Sequence, residues 1–256
     1  MKKYIVLIAV ILFGFLCGGC NLKHKPELND LEQILKRGYI IVGVKEDSPP
    51  FGYYKDGSLQ GIDIDIAKKI AEKIFNSPSD GYIHFVKVNT QNRISKLNSK
   101  EVDILVATMS INEKRKLVIN YSKPYFVANQ KLVVRKNSKI AQIQYFNTSG
   151  KLGVVLGTTG EKIIHLAAPT ARITGARTYK EAFDLLHSGQ IDGIIGDDCI
   201  LQSYLTENLR MINKIYSREY YGVAVRKSEK SKELLNEVNG SISQILDDKK
   251  IGKLKL

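Results

Sequence analysis

The chain has 256 residues, 43% hydrophobic and 25% charged, an ordinary globular composition with room for one large domain or two of about 100 residues each. Its formal net charge is +13, but the lysines are spread along the whole length; this argues against a nucleic-acid interface and for a solvated surface beside an anionic envelope. The four histidines are scattered and the three cysteines follow no metal-ligand spacing, so no metal centre is expected.

The N-terminus reads as an export signal. MKK followed by the apolar run Tyr4–Leu16 is too short to span a bilayer and has the order of a signal peptide, residues 1–19. It ends in CGGC, which resembles a bacterial lipobox with Cys20 as the lipidated mature N-terminus. Cys17 stands where lipoproteins usually have leucine. Residues 20–30, polar and carrying Pro26, read as a tether. With Cys17 removed and Cys20 lipidated, Cys199 is left alone, no disulfide framework exists, and Cys199 reads as a small core residue.

Chain order then gives alternating strands and helices. YIIVGV (39–44) is a buried-type strand ending in turn chemistry, and Asp63–Ile74 is a helix whose Ile66, Ile70 and Ile74 make a core-facing stripe. HFVKV (84–88) is the next strand, running into VNTQNRISKL (88–97). Arg93 stands there at a helix N-terminus, where the macrodipole disfavours a cation; its place suggests either a carboxylate partner nearby or, more commonly, a solvated surface charge. KLNSKEVDILVATMS (96–110) overlays LLHSGQIDGIIGDDC (185–199) at a constant offset, with Asp103 on Asp192 and Thr108 on Asp197. KLGVVLGT (151–158) repeats the first strand. Two lobes built on one α/β plan are expected, each with a mostly parallel sheet. The strand-like segments 131–138 and 222–229 read as two hinge crossings. They divide the chain into lobe 1 (31–129 and 222–256) and lobe 2 (130–221).

Ligands of open α/β sheets sit beyond the carboxyl ends of the strands. Those ends offer Lys45, Arg93, Thr108, Ser110 and Arg115 in lobe 1, and Thr158, Thr159 and Asp197 in lobe 2. Thr158 also fits a capping box with Glu161, while the N–H groups at that helix start suit an anion. Arg115 can hold a carboxylate bidentately and Asp197 can pair an ammonium, together fitting an α-amino acid zwitterion. Lys45 and Arg93 then require a further anion, which a second carboxylate on the ligand would supply. No histidine or glutamate stands at a strand end as a proton-transfer group, which argues against an enzyme.

Taken together, GVKEDSPPFGYYKDGSLQGIDIDIAKKIAEKI, VDILVATMSINEKRK, NYSKPYF, LGTTGEK, IDGIIGDD and GVAVRK resemble the family 3 extracellular solute-binding proteins, receptors of ABC transporters for polar amino acids. GVK (43–45), NTQNRIS and Tyr179 in RTYKEAFDLL resemble the aspartate/glutamate-binding branch. The resemblance implies a periplasmic-binding-protein-like (Venus flytrap) fold and a monomer without cofactor. It implies a receptor lipid-anchored on the extracytoplasmic face of the membrane that delivers glutamate or aspartate to a membrane permease. Glutamine or another polar amino acid is the alternative ligand; a dehydratase-type enzyme and a sensory domain are the alternative functions. Under the resemblance Arg115 and Ser110, matching the T-x-S/T-x-x-x-x-R run, take the α-carboxylate with help from Thr158 or Thr159. Asp197 takes the ammonium, and Lys45, Arg93, Thr108 and Tyr179 read the side-chain carboxylate. Two departures stand out. Ser48 occupies the place of a ligand-stacking aromatic, with Phe51 and Tyr53 nearby as candidates to replace it, and the terminal KIGKLKL lacks the usual aromatic ending.

Overall fold

The computed structural model describes residues 27–79 and 81–247. The signal peptide, Cys20, most of the tether and the KIGKLKL end lie outside these residues. The folded body begins before the expected end of the tether. Asn29 and Glu32 form a capping box that starts helix α1 (Asp30–Arg37), which the polar run around Pro26 had obscured. Asp30 is buried against the Arg226 guanidinium at 3.0 Å and accepts a hydrogen bond from Ser231, so the first helix is tied to the last part of the chain.

Strand β1 (Ile40–Val44) follows, then a small antiparallel sheet of β2 (Asp47–Ser48), β3 (Gly52–Lys55) and β4 (Ser58–Gln60). Helix α2 (Ile62–Phe75) buries Ile66, Ile70, Ala67 and Ala71, with Ile74 partly covered. β5 (Ile83–Lys87), α3 (Arg93–Asn98), β6 (Ile104–Leu105) and α4 (Glu113–Lys116) lead into the long β7 (Ile119–Arg135). The second lobe contains β8 (Lys151–Val155), α5 (Gly160–Ala167), β9 (Arg172–Ala176), α6 (Tyr179–His187), β10 (Gly193–Asp197), α7 (Asp198–Gln202) and β11 (Leu209–Met211). The chain returns through β12 (Ser217–Arg226) to α8 (Lys232–Asp247).

Rather than two separate sheets, the main strands form one nine-stranded sheet in the order β5-β1-β6-β12-β7-β10-β8-β9, with β11 on β7. The crossings are therefore longer than the segments expected from sequence. β7 and β12 pair antiparallel from Gln130↔Ser217 to Ile119↔Arg226, with a register shift between Tyr221 and Ala224. β6 joins β12 through Leu105↔Ala224, and β10 joins β7 through Val133↔Ile194. A two-lobe, mixed α/β architecture results, the lobes sharing a ribbon that a bulge makes easier to bend. Both faces of the sheet are covered: on β10, Ile194 points into one apolar cluster and Ile195 into the other, which explains why these strands read as continuous apolar runs.

The internal repeat has a structural counterpart. The Asp103 carboxylate accepts the Ile41 N–H at 2.7 Å and pairs with Arg37. Asp192 accepts the Lys151 N–H at 2.9 Å and pairs with Arg135. In each lobe an aspartate just before one strand fixes the start of its parallel neighbour.

Candidate functional site

Because β1, β5 and β6 run parallel in one lobe and β8, β9 and β10 in the other, their carboxyl ends project loops toward a common cleft. A small polar cavity lies there, lined by Lys45, Thr90, Arg93, Thr108, Ser110, Arg115, Thr158, Thr159, Tyr179 and Asp197. All nine residues singled out from the sequence thus meet in one place, joined by Thr90. The lobes touch around it: Arg115 Nη2 donates to the Gly157 carbonyl at 3.0 Å, Thr90 Oγ1 to the Leu156 carbonyl at 2.6 Å, and the Tyr204 hydroxyl to the Asp47 carbonyl at 3.0 Å.

Arg93 is 2% exposed, although it opens helix α3. Its Nη1 donates to the carbonyls of Ala107 at 2.6 Å and Thr108 at 3.3 Å, and its Nε is buried without a partner. Buried, it is not the solvated surface charge that its place in the sequence also allowed, and among the described residues Arg93 has no ion-pair partner within 4.0 Å. Burial, with the Arg115 cation nearby, lowers its pKa to about 10. The helix-terminus position is a consequence of the cleft lying there, since α3 starts at the end of the loop that leaves β5.

Lys45, 1% exposed, is served differently. Its ammonium lies 3.2 Å from Asp47 Oδ1, donates to Ser48 Oγ, and sits 5.2 Å from the centre of the Tyr179 ring. Burial lowers its pKa, opposed by Asp47. Ser48 therefore replaces the ligand-stacking aromatic with a hydroxyl clamp on a cation. Phe51 does not take over that role: it is a fully buried core residue, edge-on to Phe126 at 4.9 Å and to Tyr221 at 5.3 Å. Tyr53 is committed to the small sheet, and neither ring lines the cavity.

Thr108 stands at φ +46 with its N–H donating to Asp63 Oδ2 at 2.9 Å, and the other Asp63 oxygen accepts from Tyr125 at 2.8 Å. Burial raises the Asp63 carboxyl to about 6 in spite of these two bonds and the nearby Lys45 and Arg93. Asp197 is the last residue of β10 and caps no helix with its side chain. Its Oδ1 accepts from Gln130 Nε2 at 2.6 Å, and the same amide reaches Thr159 Oγ1 at 3.2 Å. Burial pushes Asp197 up to about 6, opposed by the Tyr221 hydroxyl and the Gln130 amide and reinforced by Glu219. Arg115, half-buried, spends one Nη on the Ser110 carbonyl at 2.8 Å. The Thr158–Glu161 capping box does not form: α5 begins at Gly160 with Thr159 as N-cap, and the Thr158 hydroxyl donates to the Val155 carbonyl at 2.7 Å. Cys199 lies in the core beneath the site, its thiol pushed up by burial.

Thr90, Asp47, Asp63 and Gln130 were not assigned from the sequence. Thr90 lies in the NTQNR stretch, Asp63 passes for a helix-start residue, and Asp47 for one of several turn residues. Gln130 carries no local signal, because its amide matters only where β7 meets β10.

The profile of the bacterial extracellular solute-binding proteins, family 3, matches residues 40–256. The chain is 35% identical over 260 residues to the ABC transporter glutamine-binding protein GlnH of Bacillus subtilis (strain 168), covering 97% of this chain and 94% of that protein. It is 36% identical over 207 residues to a glutamine-binding protein of Geobacillus stearothermophilus (79% and 78% covered), and 24% identical over 254 residues to the glutamate-binding protein GluB of Corynebacterium efficiens (94% and 84% covered). Among solved structures, the ancestral amino acid-binding protein AncCDT-1, a precursor of cyclohexadienyl dehydratase, superposes with a TM-score of 0.80 at 31% identity, covering 88% of this chain and 96% of that one. An ancestral arginine-binding protein bound to glutamine superposes at 0.77 with 32% identity (85% and 96% covered). On the fold, the convergence of the strand ends and this family match over most of its length, the chain belongs to the bacterial extracellular solute-binding proteins, family 3.

Proposed function

We propose that this protein is the extracytoplasmic receptor of an ABC importer, that it binds an acidic amino acid, glutamate or aspartate, between its lobes, and that Cys20 anchors it by lipid to the membrane beside its permease. The observation that carries the acidic preference is Arg93: a buried guanidinium lining the cavity, with no carboxylate partner among the described residues and a buried Nε without a hydrogen-bond partner. In this reading Arg115, with Ser110, Thr158 and Thr159, receives the α-carboxylate, and Asp197, held by Gln130, receives the ammonium. The side-chain carboxylate meets Arg93, Thr108, Lys45 and Tyr179. Each lobe supplies part of the contacts, so ligand favours the closed arrangement by differential affinity.

Glutamine is the second reading, favoured by the names of two relatives and by the Lys45–Asp47 pair, which leaves less uncompensated charge than two bare cations would. No histidine or glutamate lines the cavity, which favours binding over proton-transfer chemistry. A thermal-shift panel of the twenty amino acids on the protein lacking residues 1–20 tests the reading. Stabilisation by glutamate or aspartate above glutamine is expected; stabilisation by glutamine alone sinks the acidic preference. Product formation from a panel of candidate substrates would replace the receptor with an enzyme. Detergent-phase partitioning of the full chain, lost in Cys20→Ala, tests the anchor.

A further inference from the structure

Lys45 and Arg93 reach the cavity as neighbouring cations, yet the chain treats their charges differently. The Lys45 ammonium meets Asp47 directly at 3.2 Å and again through Ser48, whose Oγ accepts from Lys45 and donates to Asp47 Oδ1 at 3.2 Å. Arg93 donates to two carbonyls and, among the described residues, has no carboxylate in ion-pair contact; Asp63 is near it but spends its oxygens on Thr108 and Tyr125. The Asp47 side chain is 24% exposed and does not line the cavity, so it acts on a ligand through Lys45. Its backbone is fixed from the opposite lobe, because the Tyr204 hydroxyl donates to the Asp47 carbonyl. The Tyr204 ring is itself stacked on Phe183 at 5.0 Å and on Tyr179 at 6.3 Å. Closing the lobes thus clamps the residue that neutralises Lys45.

We propose that Asp47 is a positioning residue that sets the charge class of the ligand: by neutralising Lys45 it leaves Arg93 as the one uncompensated cation of the side-chain subsite, so that the subsite takes a single carboxylate and rejects a doubly charged group such as a phosphate ester. This rests on the acidic-ligand reading above and adds to it a residue and an upper limit of charge. Removing the Asp47 charge exposes Lys45 to the ligand; removing Lys45 leaves the Asp47 carboxylate uncompensated behind the subsite; removing both restores the balance.

Isothermal titration with glutamate, glutamine and O-phosphoserine on wild type, Asp47→Asn, Lys45→Gln and the double variant tests this. The ratio of glutamate to glutamine affinity is expected to rise about tenfold in Asp47→Asn, to fall in Lys45→Gln, and to return near the wild-type value in the double variant. O-phosphoserine binding is expected to appear in Asp47→Asn, while Asp47→Glu keeps the wild-type ratio. An unchanged ratio in Asp47→Asn, or equal shifts for Asp47→Asn with and without Lys45, overturns the proposal. Should Asp47→Asn fail to fold, Lys45→Gln against the double variant decides, since only charge compensation makes the double variant the better glutamate binder. A wild type that binds glutamine alone defeats the acidic reading by itself, and a gain of glutamate binding in Asp47→Asn would still support the role of Asp47.

Discussion

The Thr108 N–H donates to Asp63 Oδ2 at 2.9 Å across 45 residues of sequence, and this bond holds a threonine in a left-handed conformation at φ +46. Such a conformation costs a non-glycine residue about 1–2 kcal/mol, so the loop depends on its anchor. Asp63→Ala would leave the Thr108 N–H and the Tyr125 hydroxyl buried without an acceptor. A loss of roughly 2–4 kcal/mol in chemical denaturation is expected, together with weaker binding, because the Thr108 carbonyl is one of the acceptors that orient Arg93. A loss within about 0.5 kcal/mol, the range of ordinary surface substitutions, would show that the bond does not carry the loop.

Acid should act on stability and on binding in opposite directions. Burial raises the carboxyls of Asp63 and Asp197 from 3.8 to about 6, so both hold protons more tightly folded than unfolded. Their contribution to stability is fully present below about 3.8 and is lost as the pH rises through about 6. Binding needs Asp197 ionised to meet an ammonium, so affinity is expected to fall as the pH drops through about 6, by roughly tenfold per pH unit below it. Titrating with glutamine, whose side chain does not ionise, isolates the effect. A flat affinity between pH 7.5 and 5 would remove Asp197 from the ammonium subsite.

Arg93 should discriminate ligands rather than merely support the loop. Arg93→Ala is expected to weaken glutamate by about two to four decades and glutamine far less, since a buried pair that loses one partner costs about 3–5 kcal/mol. Arg93→Lys is expected to rescue poorly, because one ammonium cannot serve two carbonyls and a ligand carboxylate in the geometry of the planar fork. Calorimetry on both ligands reads the outcome; equal losses for both would assign Arg93 to the scaffold.

Gly157 sits at a contact between the lobes, where its carbonyl accepts from Arg115. It has φ +80, and a Cβ built on it would lie 2.8 Å from the Thr90 carbonyl oxygen in the other lobe. Gly157→Ala therefore carries a conformational cost of about 1–2 kcal/mol in any state and a clash that exists only when the lobes are closed. Ligand affinity is expected to fall by at least about tenfold while stability without ligand drops by no more than that conformational cost. Unchanged affinity would mean that the closed arrangement tolerates a wider gap at this point.

Much of this molecule is legible in its sequence because parallel strands covered on both faces leave continuous apolar runs, as in IIVGV, LGVV and GIIG. The ends of those runs point to Lys45, Arg93, Thr108, Asp197 and their neighbours before any coordinates are known. The repeated aspartates 103 and 192 announce two lobes on one plan for the same reason, since each fixes a strand start within its own lobe. Chain pattern alone did not assign partners. It left Arg93 between a paired and a solvated charge, where the fold buries it against two carbonyls, and it counted Lys45 as an unbalanced cation, where Asp47 and Ser48 hold it. It gave Thr158 a capping bond that the hydroxyl makes instead with Val155, and it left Gln130 unassigned. These pairings depend on how the lobes meet and how β7 pairs with β10, and that geometry is set by tertiary packing between distant segments, such as Asp47 and Tyr204, 157 residues apart. Sequence determined which groups reach the cleft; the closed tertiary structure decided which of their charges remain for a ligand, because in a buried site a charge is defined by whether its counter-ion is already in the protein.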